Sequence, residues 1–132
     1  MEPGDALLAS PPTEPRALEL WMQHGAGFIL VKNIRDYARE RIDSTLDSAA
    51  RDASLKAIDD ALYGLMMIIE GIPAPFQNES ERLELEMRVR LSRRLGDIEI
   101  ASLSLAQGDG MCMGYHGWIE GDFGDQPLTA DI

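Results

Sequence analysis

The chain has one cysteine, no lysine or arginine after Leu95, and no apolar run longer than the nine residues from Ala61 to Ile69. Each shortage excludes something. A lone Cys112 cannot close an intramolecular disulfide, so a disulfide-stapled secreted scaffold is ruled out. The apolar run falls far short of the ~20 residues that span a bilayer, and "MEPGDALLAS" lacks the basic start and continuous apolar stretch of a signal peptide. These features predict a cytoplasmic protein of bacterial type. Base is scarce overall: 12 Lys and Arg stand against 23 Asp and Glu, for a net charge of −11. Nucleic acid and anionic membrane, which need clustered base against phosphate, are therefore not expected as partners. A basic protein or a cation is electrostatically easier.

At 132 residues, with 45% hydrophobic and 27% charged residues, the chain suits one domain with a sizeable core. Four of the seven prolines lie in the first fifteen residues, which predicts an extended arm over 1–14 ahead of a domain over 15–132. Thr13 is the expected cap of a first helix with Pro15 in its opening turn, and "GAG" at 25–27 is expected to break or kink it. A second helix follows. Val31, Ile34, Ala38, Ile42, Thr45 and Ala49 share one helical face, and Asp36, Glu40, Asp43 and Asp47 share the opposite one. Phe28, Ile29 and Leu30, apolar all round, predict that its start is buried. A third helix over about Asp52 to Glu70 presents Leu55, Ile58, Leu62, Leu65, Met66 and Ile69, and stops at Gly71 and Pro73. Gly64, Met67 and Ile68 lie off that stripe.

From Arg82 the period changes to two. Leu83, Leu85, Met87, Val89 and Leu91 alternate with charged residues, "LGD" turns the chain, and "IEIASLSL" returns it. The slip in alternation between Ile100 and Ala101 predicts a bulge. The expected fold is α+β: two or three N-terminal helices on a small antiparallel sheet, formed by hairpin 82–105 with room for a further strand, closed by a glycine-rich C-terminal segment.

That segment, 108–125, holds six of the twelve glycines, Cys112 and His116. Glycine-rich loops cradle phosphate, but this one is crowded with carboxylates and matches no nucleotide pattern. Cys112, His116, Glu120 and Asp122 are ligand-competent for a metal, although their spacing fits no standard zinc or calcium site. His116 with Asp109 would form an acid–base pair, and Cys112 beside His116 a thiol nucleophile, but the acidic surroundings disfavour thiolate. The favoured reading is structural, with glycines letting Met111, Met113, Trp118 and Phe123 tuck inward. No cofactor is expected. The five arginines Arg82, Arg88, Arg90, Arg93 and Arg94 are expected to pair with neighbouring acids.

Two functional classes follow. The leading one is a small acidic binding protein, of the antitoxin or immunity type, that meets a basic partner through Asp36, Glu40, Asp43 and Asp47. The alternative is a metal protein or enzyme centred on Cys112 and His116. A homodimer through Gly64, Met67 and Ile68 is expected, because that apolar surface exceeds what one small sheet covers.

Overall fold

The computed structural model describes residues 6–130. The expected arm extends into residues 1–5, which lie outside the described residues. Residues 7–9 lie antiparallel to the chain's own C-terminal segment: Ala9 N donates to Leu128 O (2.9 Å) and Ala130 N to Leu7 O (2.8 Å).

Helix α1 (Pro15–Gly27) starts one residue away from its expected cap. Glu14, not Thr13, takes the N-cap, and its carboxylate accepts from the amides of Arg16 (3.1 Å) and Ala17 (2.7 Å). The "GAG" run does not break the helix. The chain continues through a π-helical turn (Phe28–Lys32) into α2 (Asn33–Glu40). Gly27 serves packing, because a Cβ there would collide with the Trp118 ring. The turn buries Val31, whereas Ile29 points outward, so the start of this helix is buried on one side only.

The expected continuous helix from Val31 to Ala49 ends at Glu40. Short polar side chains capture the backbone beyond it. Asp43 accepts from the Thr45 amide (2.9 Å) and hydroxyl (2.7 Å), and Asp47 caps α3 (Ser48–Ile69) through the Ala50 amide (2.8 Å). Helix α3 buries Leu62, Met66 and Ile69. It stops as expected: Gly71, at φ +75°, donates to Ile68 O (3.0 Å), and Ile72 donates to Met67 O (3.1 Å).

Two separate hairpins follow. Strands β1 (Phe76–Gln77) and β2 (Arg82–Leu83) form the first, and β3 (Arg88–Ser92) and β4 (Glu99–Ser104) the second. The expected single strand from Arg82 to Leu91 is thus interrupted over residues 84–87. In the second hairpin Leu91 faces Ala101 and the next pair is Ser92 with Glu99, so Ile100 is the extra residue of a bulge where the alternation slips. Arg88–Glu86 (2.8 Å), Arg90–Glu99 (3.2 Å) and Arg82–Glu84 (3.8 Å) pair as the sequence suggested, whereas Arg93 and Arg94 form no ion pair among the described residues.

The glycine-rich segment is not irregular throughout. Residues Met111–Trp118 form helix α4. Met111, Tyr115 and Trp118 recur at helical spacing and are buried against the other helices, and that burial outweighs the poor helix propensity of Gly114 and Gly117. The fold is α+β. One core gathers Val31, Met66, Leu105, Met111, Tyr115 and Trp118; a second joins Trp21, Met22 and Leu128 to Val89, Leu91 and Ala101 of the β3–β4 hairpin. Arg35 locks the layers, donating to both carboxylate oxygens of Asp59 on α3 (2.7 and 3.0 Å) and to Ile119 O after α4 (2.8 Å). Among the described residues no helix is long and apolar enough to cross a membrane.

Two helical glycines therefore respond oppositely to alanine. Gly27→Ala overpacks Trp118 and is expected to lower the urea-unfolding free energy by about 1–3 kcal/mol. Gly64→Ala, with nothing within 4 Å of the added methyl, is expected to leave it unchanged or raise it by up to about 1 kcal/mol.

Candidate functional site

The packing of α4 on α1 leaves a cleft of about 520 Å³ between them, closed at one end by the segment that follows α4. Helix α1 contributes Gln23 and His24, the loop before α4 contributes Asp109, and the segment after it contributes Asp122, Gly124 and Asp125. Trp21 and Trp118 form apolar walls. Among the described residues no lysine or arginine lines the space.

His24 is the centre of this group. Its Nδ1 accepts from the Trp118 indole N–H (2.9 Å), so the neutral ring carries its proton on Nε2. Gly124 stands against the same imidazole: at φ +93° a Cβ would lie 2.7 Å from Nε2. Glycine is needed there both for its left-handed backbone and for the close approach. Burial pushes the His24 pKa below its ordinary value of 6.5, against the opposing pull of Asp122, Asp109 and Asp125. All three carboxylates therefore act on one imidazole.

Two of the carboxylates have hydrogen-bonding partners within the chain. Arg16 grips Asp109 with two hydrogen bonds (2.7 and 2.9 Å) and also reaches Glu19 (3.0 Å). Asp122 accepts from the Gly124 amide (3.0 Å). Gln23 is 3% exposed, and its side-chain amide nitrogen has no hydrogen-bond partner among the described residues. A buried amide left unpaired costs about 1–3 kcal/mol.

The candidates read from the sequence are divided between this cleft and other surfaces. Asp109 and Asp122 belong to the cleft; Cys112 and His116 lie on the side of α4 that meets α3. The Cys112 amide donates to Glu70 (3.1 Å). Burial, followed by Glu70, pushes the Cys112 thiol above its ordinary pKa, which is the opposite of what a nucleophilic thiolate needs. His116 lies beside Tyr63 and Tyr115, with ring centroids 5.6 and 6.0 Å away. The proposed His116–Asp109 pair is replaced by Arg16–Asp109. Glu120 is exposed, and among the described residues no three His, Cys, Asp or Glu side chains gather closely enough to hold a metal ion.

The acidic quartet is not one helical row. Asp36 pairs with Lys32 (3.1 Å) and Glu40 ends α2, whereas Asp43 and Asp47 serve the turn and the cap. Of the apolar trio, Gly64 faces open space, Ile68 is half exposed and Met67 is partly buried. Sequence reasoning passed over Gln23 and read His24 only as a polar residue at a helix end. Their signal was two adjacent polar residues that follow the apolar run Leu20–Met22 and precede glycines that permit close packing.

Because His24 is held neutral, the unfolded chain takes up its proton first as pH falls. Its contribution to stability is complete above about pH 6.5 and is lost on acidification below it. Thermal melting is expected to fall between about pH 7 and pH 5.5, before ordinary carboxylates titrate. His24→Gln should flatten that interval; an unchanged slope would contradict the assignment. Among family models, curated proteins and solved structures, none matches this chain.

Proposed function

We propose that this is an acidic binding protein whose α1–α4 cleft receives a cationic side chain of a basic partner protein. The observation that carries the reading is that Asp109, Asp122 and Asp125 line one cleft with His24, and that among the described residues no lysine or arginine lines it. Carboxylates at the rim of an apolar-walled cleft suit a guanidinium, which takes planar hydrogen bonds at its edge. The His24 Nε2–H supplies a donor for a carbonyl oxygen of the same partner. The net charge of −11 favours the same encounter at long range. A small acidic neutralising protein of the antitoxin or immunity type acts in this way. The thiol alternative draws no support from Cys112, which faces Glu70.

The test uses an arginine-rich peptide as probe in calorimetric titration. Asp122→Asn and Asp125→Asn together are expected to weaken binding at least tenfold, equivalent to ~1.4 kcal/mol. Added salt should slow association. Asp36→Asn with Glu40→Asn should leave the affinity unchanged, since those residues lie off the cleft. Loss of binding in that second pair, with none in the first, would transfer the role to the α2 surface.

A further inference from the structure

Every residue from Gly71 to Arg88 is exposed. This stretch carries the β1–β2 hairpin and some of the largest uncovered apolar side chains: Phe76 at 74%, Leu83 at 70% and Leu85 at 86%. Phe76 sits opposite Leu83 in the ladder, so the two share a face, and Leu85 lies two residues along it. With Ile68 of α3 they border a groove of about 570 Å³. A contiguous apolar surface of this kind is seldom left to water.

We infer that this surface is covered by a second copy of the same chain, joined edge to edge in an antiparallel, twofold pairing of residues 82–86. The backbone supplies the first argument. Asn78 N donates to Glu81 O (2.9 Å), and bonded pairs alternate along an antiparallel ladder. Phe76–Leu83 is then the next bonded pair, and the backbone groups of Arg82 and Glu84 face the opposite edge. Among the described residues Glu84, Leu85 and Glu86 make no backbone hydrogen bond, and no turn or bend interrupts residues 84–87. An open edge of this sort is a template for another strand.

Charge complementarity identifies the strand. The sequence Arg82-Leu83-Glu84-Leu85-Glu86 pairs with itself about Glu84. Leu83 of each copy then meets Leu85 of the other, and Arg82 of each copy meets Glu86 of the other. Both favourable pairings occur twice by symmetry. The two Glu84 carboxylates meet at the axis, each with an Arg82 diagonal to it; within one chain that arginine already approaches Glu84 (3.8 Å). The apolar face gathers Phe76, Leu83 and Leu85 from both copies.

Light scattering of the full chain at micromolar concentration tests the pairing. The expected mass is twice 14.6 kDa. Leu85→Lys, at a side chain that packs against almost nothing within its own chain, should return the mass to 14.6 kDa with unchanged circular dichroism. In a Cys112→Ser background, Glu84→Cys should form a disulfide-linked dimer on mild oxidation, since bonded cross-strand Cα atoms lie ~5.5 Å apart, within disulfide reach. Gln77→Cys in the same background, on β1, should not. A mass of 14.6 kDa for the unaltered chain overturns the inference, as does a dimer that survives Leu85→Lys or fails to cross-link through Glu84→Cys.

Discussion

The Trp118 indole is the contact on which the α1–α4 arrangement depends. Its ring lies where a Cβ of Gly27 on α1, or of Gly114 on α4, would otherwise stand, so the two helices approach with one indole between them. Burying so large a ring supplies part of the energy that holds a glycine-rich segment in a helix. Its N–H has a partner as well, in His24. One residue thus sets the distance between the helices, fixes the imidazole tautomer, and leaves the space that becomes the cleft.

Polar contacts complete what that packing begins. Arg35 binds Asp59 in a fork and also takes the Ile119 carbonyl, so α2, α3 and the exit from α4 are fixed by one guanidinium. Tyr115 donates its hydroxyl to the Asp59 carbonyl from within α4. Such bonds among partly buried groups, charge-assisted in the case of Arg35, hold orientation more than they add stability. The consequence for the site is that Asp122 and Asp125, a few residues beyond Ile119, emerge from an anchored point. The opposite side of α4 is occupied differently: Cys112 meets Glu70 and Tyr63. The two sides of one short helix therefore separate residues that adjoin in sequence, with the cleft carboxylates and His24 on one and Cys112, His116 and Tyr63 on the other.

Much of the fold was legible along the chain. The stop of α3 at Gly71, the change of period at Arg82 and the bulge at Ile100 are local events, set by left-handed glycine backbone, alternation and a slip in register. Less of the site was legible. Asp109 and Asp122 stood out as carboxylates, but their partners Arg16 and His24 are about ninety or more residues away, and no spacing rule joins them. The acidic quartet shows the converse error. An i, i+4 pattern looked like one helical face, yet the Asp43 and Asp47 carboxylates accept backbone amides and end the helix before the pattern is complete.

The sequence by itself determined the class of fold, the main breaks between elements and the sign of the protein's charge, because propensity, period and net charge are local or additive. Only the tertiary structure decided what the glycines were for. Gly25 and Gly27 look like breakers and Gly114 and Gly117 look like loop, until the Trp118 ring packs against Gly27 and Gly114 and both segments are helical. The same holds for His24. A histidine beside a glycine reads as the end of a helix, and it becomes the centre of an acidic cleft only when a distant indole, a left-handed Gly124 and three carboxylates are folded around it. Close approach and burial are properties of pairs of residues far apart in the chain, so no window along the sequence contains them.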